Sequence, residues 1–235
     1  MTPTLNQLAF NLMHIIRPRV ANSEVISLDS LKFDINNYRA LLIRNELNKN
    51  RTIDSNIIQD LGCVELESVD SAECCDVTSD CKILRTKLPL PSPIELHHSQ
   101  LITRVGPVDK TTRPYDKLDY SRVPYMKYNK FTKNNIYYFT MNNSNYLYLL
   151  TANIKHKSIS TINIQGVWED IETVRNFQTC ENKPCYNDND SYPIKAWMAP
   201  AIKQLVFEKY LSREDIASLD TSNDFKDNPT NERKK

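Results

Sequence analysis

Three glycines in 235 residues limit what this chain can fold into more than any other feature does. Ordinary usage would give roughly 16. Gly62, Gly106 and Gly166 stand 44 and 60 residues apart. Neither a P-loop nor a G-x-G-x-x-G turn can be assembled from them, because both press several neighbouring bare backbone positions against phosphate. Nucleotide binding through a glycine loop is excluded. Asparagine occurs 24 times and is the next most tolerant residue at positive φ, so asparagines are expected to close many turns.

Hydrophobic content of 40% with 25% charge is that of a folded chain, and this length can bury a substantial core. A formal net charge of +1 argues against a globally basic nucleic-acid binder. The apolar runs are short, as in Tyr146–Leu150, which predicts no transmembrane helix and no membrane partner. The first residues lack a charged region and a small-residue cleavage site, so no signal peptide is expected. The six cysteines are then expected to begin in a reducing cytoplasm.

The periodicity predicts an α+β chain. Thr4 and Gln7 have capping-box spacing. Leu5, Leu8, Ala9, Leu12, Ile15 and Ile16 follow at helical intervals up to Pro18. A second helix is expected from near Ser27 to near Asn48, with Leu28, Leu31, Ile35, Tyr38, Leu41 and Leu42 as its apolar stripe and Lys32, Arg39 and Arg44 off it. Strands are expected at Ile57–Val64, Lys82–Thr86, Leu101–Val105, Ile136–Met141, Tyr146–Leu150 and Ser158–Ile164, the fourth and fifth as a hairpin across Asn142–Asn145. Glu169–Phe177 reads as a short helix. Pro193 could open a longer one to Leu211, kinked or restarted at Pro200, and Ser212–Leu219 a last turn. The organisation expected is a helical segment over 1–56, an antiparallel β-rich core over 57–165, a C-terminal helical segment packing on that core over 166–219, and a mobile polar tail over 220–235.

Charge is segregated within the balanced total. Residues 60–81 hold seven acidic groups and no basic one, and residues 101–157 hold ten basic groups against three acidic. Two readings stand: solvated faces, or a self-complementary head-to-tail interface.

No catalytic constellation emerges. Cys63, Cys74, Cys75, Cys81, Cys180 and Cys185 admit three states: buried thiols, disulfides formed late in an extracellular particle, or zinc held by Cys180/Cys185 with Cys75/Cys81, whose spacing fits loosely. His14, His97, His98 and His156 are scattered, with His14 expected at the edge of a core. Neither G-x-S-x-G nor H-E-x-x-H occurs. Glu169 and Asp170 read as helix-start residues. No enzyme activity and no cofactor are expected. Aromatic side chains interleave with lysines between Tyr115 and Tyr148, including Tyr128 and Lys130. That pattern suits a single-stranded nucleic-acid module, or an antiparallel sheet with one wet face. A cysteine-dependent metalloenzyme or zinc scaffold is a further alternative.

Five stretches, Leu41–Asp54, Ile58–Leu66, Cys74–Cys81, Ile102–Val108 and Gly166–Asp170, together resemble the neck ring protein of crAss-like, short-tailed bacteriophages. The likeness covers most of residues 5–215. It implies a virion subunit in a ring of twelve copies, docked beneath the portal protein and followed by further tail rings. Double-stranded DNA would pass through the lumen without sequence-specific binding. It implies no enzymatic activity. Within the polar tail, Asp224, Phe225, Lys226, Asn228 and Pro229 form a candidate segment for docking into a portal groove.

Overall fold

The structure is a computed structural model that describes residues 2–19, 26–49, 52–70, 82–97, 99–119, 121–123, 125, 135–141, 144–151, 159–180 and 184–211. Cys74, Cys75, Cys81, His98, Tyr128, Lys130, His156, the turn expected at Ser212–Leu219 and the tail with Asp224, Phe225, Lys226, Asn228 and Pro229 lie outside the described residues. The elements are helices α1 (Leu5–Ile16) and α2 (Leu28–Lys49), strands β1 (Gln59–Asp70), β2 (Lys82–Thr86), β3 (Ile102–Gly106), β4 (Asp116–Lys117), β5 (Ile136–Met141), β6 (Ser144–Thr151) and β7 (Thr161–Gly166), then α3 (Ile171–Asn176) and α4 over 198–211. This is the α+β class that the periodicity predicts. Two compact units result, one from residues 1–43 with 188–235 and one from residues 44–187.

In the first unit the capping box at Thr4 and Gln7 is formed on both sides, and Leu5, Leu8, Ala9, Leu12 and Ile16 are buried. The Ser27 hydroxyl accepts the Ser30 N–H at 3.1 Å and so starts α2. Helix α4 buries Met198, Ile202, Val206 and Tyr210 at four-residue intervals. It begins at residue 198, not at Pro193. Pro200 falls in its first turn, where an N–H has no partner within the helix.

Helix α2 departs from the expected pattern. Lys32, Asp34, Asn36 and Arg39 are buried, Arg39 completely, while Leu41 is exposed. The reason is a set of polar partners from the far end of the chain. Lys32 Nζ donates to Asp188 at 2.7 Å, and Arg39 Nε donates to the Pro193 carbonyl at 3.0 Å. The Arg39 guanidinium lies over the Tyr192 ring, whose hydroxyl donates to Asn36 at 2.8 Å. Asp34 accepts from Lys209 and, at 3.1 Å, from the Tyr210 hydroxyl. Pro3 and Thr4 are tied to the same region. Tyr192 N–H donates to Pro3 at 3.2 Å, and Thr4 bridges Ser191.

The second unit holds a seven-stranded sheet in the order β3-β7-β1-β2-β6-β5-β4. Every pairing is antiparallel except β4 with β5. The hairpin expected from the sequence is β5 and β6, with Phe139 directly opposite Tyr148 and their rings stacked at 5.4 Å. Such a pair adds about 0.5–1.5 kcal/mol beyond area burial. Three consecutive residues are buried in each strand, Tyr137–Phe139 and Leu147–Leu149, so both faces of this hairpin are covered. None of the three glycines closes a hairpin; each lies in a strand.

Arg39 sets a testable quantity. Arg39→Ala leaves the buried Pro193 carbonyl without its donor and opens a cavity, so denaturant unfolding should show a loss of about 2–4 kcal/mol. A solvent-facing arginine would change stability by less than about 0.5 kcal/mol. Arg39→Lys should recover little, because lysine has neither the Nε donor nor the flat face over Tyr192.

Candidate interaction surfaces

The candidate chemistry is dispersed. His14 and His97 are exposed, so His14 is not at a core edge. Cys180 is bonded to Cys63, so it does not pair with Cys185 as a zinc-ligand couple. Among the described residues no group of three or more His, Cys, Asp or Glu side chains could hold a metal ion, and no helix is long and apolar enough to cross a membrane. Cys185 is the free thiol of the described residues. Burial, and then the nearby Asp60 charge, push it up to about 11. A thiol so placed is a poor nucleophile at neutral pH.

Among the described residues, most of the aromatic side chains expected as a base-stacking platform are in the core; Tyr120, Tyr128 and Phe131 lie outside the described residues. Tyr137, Tyr138, Phe139 and Tyr148 are buried, and Tyr146 is covered by the Arg85 guanidinium at 4.5 Å. Tyr125 is exposed.

The segregated charges are partly neutralised inside the chain. Glu65 pairs with Lys87 at 2.8 Å, Glu67 with Arg85 directly across from it on β2, and Asp60 with Lys110. Three acidic groups of the 60–81 block therefore already have partners within the sheet and its loops. Two of their bases, Arg85 and Lys87, come from outside the basic block.

Asp60 is the most connected carboxylate. It sits beside a bulge in which two residues of β1, Leu61 and Gly62, face one residue of β7. Gly62 adopts φ +66°, a conformation that costs little only without a Cβ. Asp60 accepts from Gly62 N–H at 2.8 Å, Asn163 at 2.7 Å, Gln165 at 3.1 Å and the Lys110 ammonium. Burial pushes its carboxyl up, but the lysine, the backbone N–H and the two amides outweigh it and hold the group below its ordinary 3.8. On the same strand neighbour, a side chain at Gly166 would press on the Leu101 carbonyl at 3.0 Å.

The outer row of α2 is unusual. Phe33, Asn37, Leu41, Asn45 and Asn48 are exposed, and Phe33 keeps 64% of its surface. The helix therefore buries charged groups and presents an uncharged row containing a phenylalanine and a leucine. Phe10, Ile15 and Trp197 are also exposed in the helical unit. Depletion of charge with exposed aromatic side chains is the compositional mark of a protein–protein contact. The sequence carried a signal for it, the absence of any charge at positions 33, 37, 41, 45 and 48.

The Asp60 cluster gives a pH prediction. Its folded-state value is depressed, so its contribution is complete above the unfolded value and is lost as pH falls through the folded one. Asp60→Asn should be less stable than the parent chain at neutral pH, and the gap should close as pH drops below 3.8. Unfolding midpoints across the acid range measure this; a gap independent of pH would assign the effect to packing instead.

No curated protein matches the chain. A family model described as phage tail ring protein 2 matches residues 7–229, a span that includes α1 beyond its first two residues, the whole of α2, the whole sheet, α3 and α4. An uncharged helix row and internally paired charges are consistent with a structural subunit. The chain belongs to the crAss-like phage tail ring protein 2 family.

Proposed function

We propose that this virion subunit closes into a ring of twelve in the phage neck, joins the portal to the tail and lines the channel through which DNA leaves. The carrying observation is the uncharged outer row of α2, with Phe33 and Leu41 exposed. A ring needs the same heterologous contact repeated around its axis, and such contacts bury aromatic and aliphatic anchors. The near-neutral total of +1 suits a channel wall, since a strongly basic lumen would hold phosphates and slow their passage. Portal protein, neighbouring tail rings and DNA in transit are the partners of this reading. Asp224, Phe225, Lys226, Asn228 and Pro229 are proposed to dock into the portal. The subunit is proposed to act without catalysis and to assemble in the host cytoplasm.

Imaging the purified protein with and without portal tests this. Rings that stack on the portal are expected. Phe33→Asp with Leu41→Asp should leave the unfolding free energy within about 0.5 kcal/mol per substitution of the parent chain, because both side chains face outward, while abolishing rings. Rings formed normally by that variant would remove α2 as the contact. A monomer that ignores intact portal would overturn the connector reading. Deleting residues 220–235 should weaken stacking on the portal and leave ring formation intact.

A further inference from the structure

Three sulfur atoms converge on one short stretch of β1. Cys63 is bonded to Cys180, whose backbone N–H also donates to the Cys63 carbonyl at 3.1 Å. Two residues earlier on the strand, the Leu61 carbonyl accepts the Cys185 thiol at 3.3 Å. Cys63 and Cys185 line one cleft of about 330 Å³, together with Asp60, Lys110, Asn163 and Pro184. Cys180 is not among the residues lining that cleft. One residue of the disulfide therefore lines the same cleft as Cys185, and that residue is Cys63.

We propose that Cys63, Cys180 and Cys185 form a thiol–disulfide exchange site, in which Cys185 displaces Cys180 from Cys63. The Cys185 thiol first gives up its proton. Its thiolate then attacks Sγ of Cys63, the Cys63–Cys185 bond forms, and the Cys63–Cys180 bond breaks. Cys180 leaves with the electron pair and takes up a proton, so no oxidant or reductant is consumed. Both isomers tie the chain beyond α3 to β1, but at points five residues apart.

Access and protonation govern the rate of such a step. The shared cleft supplies access to Cys63. Protonation holds the exchange back, because burial and the Asp60 charge keep the Cys185 proton on at neutral pH. The charged groups lining the cleft are Asp60 and Lys110, and they are paired with each other. Below the thiol's own titration, the thiolate fraction and hence the rate rise about tenfold for each pH unit. The pairing present in the structure is thus retained by kinetics near neutrality and becomes mobile in alkali.

Disulfide mapping of the full chain tests the proposal. Glu181 lies between Cys180 and Cys185, so cleavage after glutamate separates the two. Protein incubated without added redox agents between pH 7 and pH 9, and shown to stay folded by circular dichroism, is quenched in acid. Free thiols are labelled with N-ethylmaleimide in denaturant before digestion. At the lowest pH the Cys63 peptide should be joined to the peptide ending at Glu181. With rising pH a second product should appear, joining Cys63 to the Cys185 peptide, with the label now on Cys180. Its initial rate should grow about tenfold per pH unit. Cys185→Ser should give only the first product throughout. Label on Cys185 and never on Cys180 at any pH, a Cys180–Cys185 product, or exchange that persists in Cys185→Ser would each overturn the proposal.

Discussion

The Asp60 carboxylate is the interaction on which the sheet's middle depends. Its four donors belong to β1, β7 and the loop after β3, so one anion ties three segments together. The bulge it stabilises displaces β1 against β7 by one residue between Asp60 and Cys63. A one-residue shift exchanges the two faces of a strand. The bulge therefore decides which β1 side chains meet Cys180 and which meet the core. Gly62 is the backbone condition for it, at φ +66°, and the disulfide is its covalent consequence. The scarcity of glycine takes on a different meaning here. Glycine is kept for positions inside strands where backbone geometry or close approach requires it, as at Gly62 and Gly166.

The helical unit solves a different problem. Helix α2 carries Lys32, Asp34 and Arg39 inward, where an unpaired charge would be strongly destabilising. Each is met by a polar group from residues 188–210. Hydrogen-bonded ions of this kind specify which segment may lie against the helix more sharply than aliphatic contacts do, since a mismatched segment would strand a charge. With those charges turned inward, the outer row is left uncharged. In a subunit of a repeated assembly, such a row is useful.

Much of the local architecture was legible in the residues themselves. The Thr4–Gln7 cap, the start of α2 at Ser27, the β5–β6 hairpin and the Asp170 cap, which accepts the Glu172 N–H at 2.9 Å, all depend on neighbours within a few positions. What escaped depends on distance along the chain. Lys32 and Arg39 look like solvent-facing residues until Asp188 and Pro193 are brought to them. Leu41 fits an apolar stripe that the buried charges displace. The Cys63–Cys180 bond spans 117 residues, and spacing alone does not select it from the possible pairings. Strand β1 runs on to Asp70, beyond the expected Val64, because its acidic side chains find Arg85 and Lys87 across the ladder. The outer row of α2 was visible only as missing charge, a weaker cue than a motif.

The closure of the helical unit by two segments far apart in the sequence has a consequence for biosynthesis. Residues 44–187 form a continuous unit that can fold as it leaves the ribosome. Helices α1 and α2 are made before most of that unit, yet their partners at Asp188, Tyr192, Pro193 and Lys209 are made after it. At 5–20 residues per second, the wait is on the order of ten seconds. During it the charged groups of α2 remain hydrated and the helix has no reason to settle its inward face. A chain on which Lys209 has not yet emerged therefore lacks the finished inward face of α2, and translation itself sets the order in which the two units close.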